Sequence, residues 1–580
     1  GVAGPRRSLG HLDRIQPEHA AMHNAVTTAA EFLATGVPRP ATPPGSGGRP
    51  AYFFYPEMDG AESCGSGELT PSTHMAQPCQ LFAMLADALV RYHAYSGATN
   101  ATVNLLFPMF DYMLANGSTP NSTRWAWPGV PYASSTGGDL YFTGAADIDV
   151  YGCLGCGDGY GHIEPDKLGD FGLALLTLWK IGNDSRYREA AVHLGMVLAR
   201  NIRNVSTLSA RQSPWPFRVN AQTNVAREDY TASMLGPVRL LRELVRLGLG
   251  DVELLNATAT SAWSWLLDKP VQTNWWCGYF EDCSSCPITT DPPSAADDSC
   301  APDASGNLPS VEHRGGWQNT SMSDGTEWMA CNYNQYLPLE LALYVMEQQG
   351  SVPDWRGTVQ KLVDWVDWAL VENHVDGEPG VQWGARVVSE QRVDPSRMVS
   401  HTSRYAAVLS TFAELTHNTT LNAIARRSWD WASYMSNAQG RVVTGPKDSS
   451  LWFSDGYGDW IRNTLRCIAA NSSWSLDAPG SHILRSSSVV THIDYSDRSA
   501  VRYSTFDARS TEKLVLDFAP AHVAVDGRML AGRLSDDAND GQRYDDLGWW
   551  ASPVAAGSDR WEMTVSWAGR EVVISSSLKS

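Results

Sequence analysis

The sequence predicts a mainly α-helical protein whose helices pair into six hairpins and close into a double ring, followed by a small antiparallel β-sandwich. Three features of the 580-residue chain lead to this prediction. A helix-turn-helix pattern recurs up to about residue 470, one further helix stands at each end of that region, and beyond His482 the hydrophobic period changes from 3.6 to 2.

The clearest hairpin runs from Asp170 to Ile202. Its first helix, DFGLALLTLWKI, is almost unbroken apolar sequence, whereas its second, RYREAAVHLGMVLARNI, places charged residues on one face. The turn between them, GNDS, combines Gly182, which suits a left-handed helix stop, with side chains that start a helix. The two helices should therefore pack antiparallel, the first of them buried all round.

The same layout recurs four more times. The further hairpins are 80–95 with 101–115, 230–247 with 252–267, 328–347 with 355–373, and 403–415 with 421–436. Helices 18–34 and 457–470 are left over, and they can pair with each other if the array curls into a ring. The structural alternative is an open right-handed solenoid, which would need polar capping repeats at its ends.

This pattern resembles the (α/α)6-toroid, or six-hairpin, enzymes, a group of glycoside hydrolases and polysaccharide lyases. The resemblance covers roughly residues 18–470 and rests on the recurrent hairpins and on local cues such as WKIGNDSRYREAA. It implies a closed toroid of six hairpins. The activity needs a separate argument, because one fold can host many chemistries.

Three regions are predicted along the chain. Residues 1–50 hold a polar arm, the first helix and a Pro/Gly-rich linker, 51–482 form the toroid that helix 18–34 closes, and 483–580 form the β-sandwich. Asp526-Gly527 and Ala568-Gly569 are predicted hairpin turns within the sandwich. Similar sandwiches follow the toroid in several enzymes of the group, and this one is expected to buttress the ring, a sugar-binding module being the alternative.

Composition excludes several partners. The net charge of −19 argues against nucleic acid and against an anionic membrane surface, and no apolar run is long enough to cross a bilayer. The chain begins at Gly1 rather than Met, which suggests that a leader has been removed.

A secreted or extracellular location is predicted from sequons and cysteines. Asn-X-Ser/Thr sequons, which would carry N-linked glycans, occur at Asn100, Asn116, Asn121, Asn183, Asn204, Asn256, Asn319, Asn418 and Asn471. Ten cysteines suit an oxidising compartment, and disulfides stabilise by ~2–4 kcal/mol each.

Particular pairings are expected among these cysteines. Cys64–Cys79 and Cys153–Cys156 are the expected disulfides, while Cys283 and Cys286 could pair with each other or with Cys277 and Cys300. The alternative is a four-thiolate zinc site at Cys153, Cys156, Cys283 and Cys286.

The functional site is expected on one face of the ring. Connections inside hairpins are a few residues long, whereas those between hairpins are long, and alternating helix directions bring all the long ones to the same face. Helices that follow long loops carry few charges, so they should form the inner ring with their N-terminal ends at this face. Five polar segments converge there.

These segments supply the candidate catalytic residues, which are Asp166, Asp229, Glu327, His401, Tyr405 and Asp455. The candidate substrate-binding residues are Asn332, Tyr333, Trp383, Arg404, Trp452, Tyr457, Asp459 and Arg462. Any single acid at a helix start can equally be a cap or a dipole partner, and Asp459 and Arg462 can equally form an internal salt bridge. No cofactor or metal site is predicted, since the acids near Asp166 do not match a calcium loop.

Acids together with loop tryptophans indicate a carbohydrate substrate, and hydrolysis is the favoured reaction. Hydrolysis needs one carboxylic acid to protonate the leaving oxygen and one carboxylate to activate water. The alternative is a polysaccharide lyase that uses Tyr405 or His401 as base, with Arg404 and Asn332 neutralising a uronate. A non-catalytic glycan-binding scaffold is the third reading. The acidic chain disfavours a polyanionic substrate, hence the preference for hydrolysis.

Overall fold

A computed structural model of the protein describes residues 21–39, 48–53, 57–60, 69–71, 78–133, 161–208, 212–274, 276–278, 317–319, 328–330, 332–371, 381–390, 396–446, 449–475, 478–534, 547–555 and 558–576. Within them lie twelve α-helices. They are α1 (Ala21–Glu31), α2 (Pro78–Ser96), α3 (Thr99–Asn116), α4 (Pro165–Gly182), α5 (Ser185–Arg200), α6 (Leu235–Arg246), α7 (Val252–Leu266), α8 (Tyr336–Glu347), α9 (Trp355–Val366), α10 (Val399–Thr416), α11 (Thr419–Ser433) and α12 (Asp459–Ala470).

The helices form a closed double ring. Each even-numbered helix packs against the next even-numbered one, and α12 packs against α2, so these six make a continuous inner ring. The helices α3, α5, α7, α9 and α11 pack outside their hairpin partners, and α1 packs outside α12. The predicted (α/α)6 toroid is confirmed, including its closure by the first helix, and the open solenoid is excluded.

Burial follows the sequence pattern. In α8 the run from Leu337 to Met346 is buried throughout, whereas its outer partner α9 buries one face only. In the turn from α4 to α5, Asn183 takes the left-handed conformation with φ 55°, one residue later than the predicted stop at Gly182. Asp184 then caps α5 by accepting a hydrogen bond from the Arg186 amide.

Two glycines bring α4 and α6 close together beneath the loop face. A Cβ atom at Gly169 would collide with the backbone of Gly236 and Pro237. A Cβ atom at Gly236 would in turn lie 2.8 Å from Oδ1 of Asp170. Because neither position carries a side chain, the two helix backbones touch and leave room for the Asp170 carboxylate.

Short strands and π-helical turns stand in the long connections. The strands are β1 (Glu57–Gly60), β2 (Leu69–Pro71), β3 (His162–Ile163), β4 (Arg218–Asn220), β5 (Ala226–Glu228), β6 (Cys277–Gly278), β7 (Trp317–Asn319), β8 (Trp328–Ala330), β9 (Asn332–Tyr333), β10 (Val381–Gln382), β11 (Ala385–Arg386) and β12 (Leu451–Trp452). π-Helical turns cover Phe32–Gly36, Leu267–Val271, Asp367–Val371 and Phe453–Gly458. The helix predicted over 328–347 therefore begins only at Tyr336, because its first residues pair as strands.

The C-terminal region is a sandwich of two five-stranded sheets. Its strands are β13 (His482–Ser486), β14 (Val490–Asp494), β15 (Ala500–Thr505), β16 (Arg509–Leu516), β17 (His522–Val525), β18 (Arg528–Met529), β19 (Gly532–Leu534), β20 (Gly548–Pro553), β21 (Trp561–Ala568) and β22 (Glu571–Ser575). The sheet orders are β13-β16-β21-β20-β19 and β14-β15-β22-β17-β18, antiparallel except for the parallel β19–β20 pair. One hydrophobic core fills the space between the sheets.

The two predicted turns in the sandwich have different outcomes. Asp526 and Gly527 have φ 48° and 76° and join β17 to β18 in a tight hairpin, as predicted. Ala568-Gly569 lies between β21 and β22, which belong to different sheets, so the prediction of a hairpin there is wrong. The chain passes there from one sheet of the sandwich to the other.

The sandwich packs on the carboxyl ends of the inner helices. Glu414, near the end of α10, accepts hydrogen bonds from Arg485 at 2.9 Å and from Lys513 at 3.0 Å. At the end of α6, Arg246 donates to Asp507 at 2.7 Å. These pairs are the contacts of a buttress.

Two cysteines within the described residues have free thiols. Cys79, at the start of α2, is buried and its Sγ donates to the Tyr132 carbonyl at 3.7 Å. The predicted Cys64–Cys79 disulfide is therefore wrong, because the thiol points into the core. Cys467 in α12 is also free and buried. The other cysteines, including the four of the zinc alternative, have side chains outside the described residues.

Among helices of the described residues, none combines the length and hydrophobicity that a bilayer span requires.

Candidate functional site

The open face of the ring is the one from which the long connections emerge. The sandwich lies against the carboxyl ends of α6 and α10, so the amino ends of the inner helices point away from it. Helix amino ends carry unpaired N–H groups and a positive partial charge. A site at this face can therefore combine side chains from several helices.

A narrow cleft lies between the first turns of α2, α4, α6 and α8. Its polar lining consists of Gln80, Asp166, Lys167, Asp170, Ser233, Arg239, Tyr336 and Glu340. The space that water can enter is about 20 Å³, which is enough for a single water molecule. A cleft of this size admits water but not a sugar ring.

Asp170 is the acid of this cleft with a raised pKa. Burial raises the pKa of Asp170 to about 6, with a further contribution from Glu340, while Arg239 opposes the shift. The Tyr336 hydroxyl donates to Asp170 Oδ2 at 3.4 Å. A carboxyl group with this pKa is protonated in a large fraction of molecules in mildly acidic solution, so it can donate a proton.

Asp166 stands one helical turn before Asp170. The two residues are separated by four positions in α4, so their side chains lie on the same helix face, with Cβ atoms about 5–6 Å apart. Asp166 is 5% exposed, and its Oδ1 accepts a hydrogen bond from the Lys167 amide at 2.9 Å. Together with Glu340, the cleft thus holds three carboxyl groups, of which Asp166 and Asp170 share one face of α4.

A buried ion pair fixes the start of α4. Lys167 Nζ lies 2.5 Å from Glu164 Oε2, and Arg218 Nε donates to the other Glu164 oxygen at 2.9 Å. All three side chains are buried. Because Glu164 precedes the first residue of α4, this arrangement holds the turn that carries Asp166 in place.

Charged side chains of α8, α10 and α12 form the axial cluster, defined as Glu340, Arg404, Asp459, Arg462 and Arg466. Arg462 and Arg466 donate to Glu340 Oε1 at 3.1 and 3.0 Å, and Arg404 and Arg462 both pair with Asp459. Burial alone would raise the pKa of Glu340, but the three arginines hold it well below its usual range. The cluster is a network of buried ion pairs that reaches the cleft through Glu340.

Three predicted substrate-binding residues, Arg404, Asp459 and Arg462, belong to this cluster. They are at most 5% exposed and are occupied by one another and by Glu340. The salt-bridge reading of Asp459 and Arg462 is therefore the one that the structure supports. Their role is to hold inner helices together.

Asp229 does not line the described cleft. It is 2% exposed, pairs with Arg203 at the end of α5, and accepts a hydrogen bond from Gln212 at 3.4 Å. The ion pair ties the segment before α6 to the outer ring. The placement argues against the predicted catalytic role.

Tyr405 and His401 also differ from the expectation that they reach the cavity mouth. The Tyr405 hydroxyl donates to Asp367 at 2.5 Å and accepts from Arg386 at 3.4 Å, so it faces the outer helix layer. His401 Nδ1 lies 3.3 Å from the Ser389 carbonyl oxygen. Arg404, between them in sequence, is the residue that points towards the ring axis.

The predicted aromatic residues lie in different environments. The Tyr457 ring is buried against Phe32, and its hydroxyl accepts a hydrogen bond from the Val442 amide at 2.8 Å. Trp452 is half-buried in β12, opposite Glu57 of β1. Trp383 is 76% exposed. Of these three, Trp383 presents its ring to solvent.

The remaining predicted residues cannot be placed with side chains. Glu327 lies outside the described residues, as do the side chains of Asn332, Tyr333 and Asp455. The backbone of Asn332 and Tyr333 forms β9, and Asp455 lies in the π-helical turn before α12. Their predicted roles stay predictions.

Sequence reasoning left Gln80, Arg239, Tyr336 and Glu340 out of the site and did not assign Asp170 a role. Two signals could have found some of them. Asp166 and Asp170 are spaced for one helix face, and Glu340 is the lone charge in the apolar helix YLPLELALYVM. A single charge inside a fully buried helix needs a partner, which in this fold lies across the axis.

No protein-family model matches the chain, and no curated protein matches it. Solved structures with a similar fold include a D-mannose isomerase (9% identity, TM-score 0.48, covering 80% of this chain and 98% of that one). A sugar epimerase from a ruminal bacterium has 10% identity and a TM-score of 0.46, and the match covers 77% of this chain and 97% of that one. An α-1,6-mannanase from a Salegentibacter species has 11% identity and a TM-score of 0.41, and the match covers 77% of this chain and 99% of that one. The fold assignment itself rests on the packing of the helices into a closed ring.

Proposed function

We propose that the protein is a glycoside hydrolase in which Asp170 is the general acid and Asp166 the carboxylate that assists water or the sugar. The observation that carries the proposal is the pair itself, two carboxyl groups on one face of α4 at a cleft that admits a single water molecule. Hydrolysis of a glycosidic bond needs such a pair, one group protonated and one ionised.

The surroundings of the pair support different roles for its members. Burial and the neighbouring Glu340 favour the protonated form of Asp170, and the Tyr336 hydroxyl orients its carboxyl group. Asp166 accepts a backbone hydrogen bond, an interaction that favours a carboxylate. Two acids with different environments are a common basis for acid and base assignments.

The lyase alternative loses its tyrosine base in this arrangement. Tyr405 is buried, its hydroxyl donates to Asp367, and burial raises its pKa well above the usual range. Arg404, which would neutralise a uronate, is paired with Asp459. A neutral glycan also suits a chain of net charge −19 better than a polyanion does.

The experiment is a screen of neutral and uronate-containing glycans that measures new reducing ends and the ultraviolet absorbance of a new double bond. Wild-type protein should release reducing ends, and Asp170→Asn and Asp166→Asn should lower kcat by about 10²–10⁴-fold. Asp364→Asn, on the exposed face of α9, is the matched control and should keep full activity.

Three outcomes would contradict the proposal. Absorbance of a double bond would indicate a lyase, and glycan binding without turnover would indicate a scaffold. Full activity in folded Asp170→Asn protein would remove the proposed acid. Thermal unfolding of each variant shows whether it is folded.

The location is part of the same proposal. Several sequon asparagines are exposed, among them Asn121, Asn183, Asn256 and Asn418, so glycans could be attached without unfolding. Secretion would bring the enzyme to an extracellular glycan. Protein from a eukaryotic secretory host should lose mass on enzymatic deglycosylation, and an unchanged mass would count against this location.

A further inference from the structure

Two exposed aromatic side chains meet on the surface of the ring. Trp383 is 76% exposed and Tyr434 is 71% exposed, the two aromatic members of the exposed large apolar side chains in the described part of the chain. Their ring centroids are 5.6 Å apart and their planes are inclined at 76°. We call this pair the aromatic corner, since the two rings form two walls at nearly a right angle.

The backbone at Trp383 is in a conformation that a bulky residue rarely adopts. Trp383 and Gly384 have φ 51° and 78° and form the two-residue turn between β10 and β11. Such turns strongly favour Asn-Gly, and a large side chain at positive φ is an outlier. Strain of this kind is concentrated at functional positions, so an indole ring at this position indicates a use for the ring itself.

Both flanks of the turn are anchored. On one side, Gln382 accepts a hydrogen bond from Trp431 Nε1 at 2.9 Å. On the other, Arg386 pairs with Asp367 and donates to the Tyr405 hydroxyl at 3.4 Å. The turn is therefore held in position before any ligand arrives, which lowers the entropic cost of binding.

We propose that the aromatic corner binds a sugar unit of a neutral glycan chain at a site separate from the cleft. The apolar faces of sugar rings stack on aromatic rings, and the Tyr434 hydroxyl and the Arg427 guanidinium beside Gly384 supply hydrogen bonds at its edge. Two perpendicular walls cannot lie flat on a crystalline surface, so the ligand is a soluble chain. The choice of a glycan rests on the proposed function.

The location fits such a role. Strands β10 and β11 lie in the connection from α9 to α10, which emerges at the same face as the cleft, while Tyr434 follows the end of α11 in the outer layer. Residues of the cleft belong to α2, α4, α6 and α8 and to the segment before α6. The corner would thus hold a long substrate on the face where it is cleaved without contacting the reacting bond.

The test is affinity electrophoresis in gels that contain soluble β-glucan, galactomannan or starch, with Asp170→Asn protein so that the polymer stays intact. We expect one of these polymers to retard the protein. Adding Trp383→Asn removes one of the two aromatic walls and should weaken the retardation at least tenfold. The variant should fold, because Asn suits this turn. Tyr434→Phe keeps the ring and loses one hydrogen bond, so it should weaken the retardation much less than Tyr434→Ala, which should abolish it.

Met529→Ala, which shortens an exposed apolar side chain on the sandwich, is the matched control and should bind as the parent does. Equal retardation of the Trp383→Asn and parent proteins, or no retardation in any gel, would overturn the proposal. A parent dimer that becomes a monomer in Trp383→Asn would also overturn it, since the corner would then bind a second copy. Because binding is measured without turnover, failure of the hydrolase assignment would show separately in the reducing-end assay.

Discussion

Acid is expected to weaken the joint between ring and sandwich, because a neutral histidine is buried there. His482, the first residue of β13, is 5% exposed, its ring stacks on Tyr95 with centroids 4.4 Å apart, and its Nδ1 lies 2.8 Å from the Tyr95 carbonyl oxygen. Burial, with smaller contributions from His23 and Arg560, lowers the pKa of His482 to about 4 against the opposing hydrogen bond to Tyr95.

The sign and size of the effect follow from the two pKa values. His482 has a pKa near 6.5 in the unfolded chain and about 4 in the folded protein. Between these two values the unfolded chain binds more protons than the folded protein. The contribution of His482 to the free energy of unfolding is therefore fully present at neutral pH and is lost as pH falls from about 6.5 to 4. The difference corresponds to about 3 kcal/mol at most. His23 and His93, also lowered to about 4, act in the same direction.

Asp170 acts in the opposite direction, because its folded-state pKa of about 6 lies above the usual 3.8. Its contribution is present at low pH and is lost as pH rises through 6, so it partly offsets the histidines. A comparison with a His482 variant removes this common background. His482→Gln keeps a polar group next to Tyr95 but does not titrate.

The assay is urea unfolding of wild-type and His482→Gln protein at pH 7.0 and 4.5. Between these values the free energy of unfolding should fall by about 2 kcal/mol more in the wild type than in the variant. A uniform loss of stability in the variant would not affect this difference. Parallel pH dependences of the two proteins would refute the reasoning.

Three further predictions concern the ring. Tyr336→Phe removes the hydroxyl that donates to Asp170, so the pKa of Asp170 rises further and the alkaline fall in kcat/KM should move to higher pH; an unmoved profile would contradict the contact. Arg404→Met leaves Asp459 buried with one arginine fewer and should lower the free energy of unfolding by about 3–5 kcal/mol in urea, so a change below about 1 kcal/mol would argue against the axial cluster. Gly169→Ala forces a methyl group onto the backbone of α6 and should cost about 1–3 kcal/mol by calorimetry, and a neutral result would argue against the close α4–α6 packing.

The fold could be predicted because hairpins repeat their signals. Five apolar helices followed by amphipathic ones identified the inner and outer layers, and one unmatched helix at each end indicated closure. What failed locally was the start of α8, where β8 and β9 replace two helical turns. β9 pairs with the distant β6, where Cys277 lies opposite Tyr333, and β8 pairs with the nearby β7, where Asn319 lies opposite Trp328. Both partners lie outside 328–347, so periodicity within that segment did not reveal the strands.

The site could be predicted only in part, and α10 shows why. The sequence places His401 and Tyr405 on one helix face, and this is correct as geometry. It does not say whether that face meets the axis or the outer layer, because α10 is buried on nearly all sides and has no polar face to orient it. The choice is made by partners distant in sequence, Asp367 for Tyr405 and Asp459 for Arg404.

The axis of the ring explains how one acid can serve as a proton donor while its neighbour stays ionised. Glu340 and Asp170 both line the cleft, yet three arginines hold the pKa of Glu340 low, whereas Arg239, Arg462 and the Tyr336 hydroxyl only partly oppose the effect of burial on Asp170. The negative charge fixed on Glu340 in turn raises the pKa of Asp170. Ion pairs that stabilise the inner ring thus also help to set the pKa of the proposed acid. A change within the axial cluster should consequently alter the pH profile of the proposed reaction even though none of the cluster's three arginines lines the cleft.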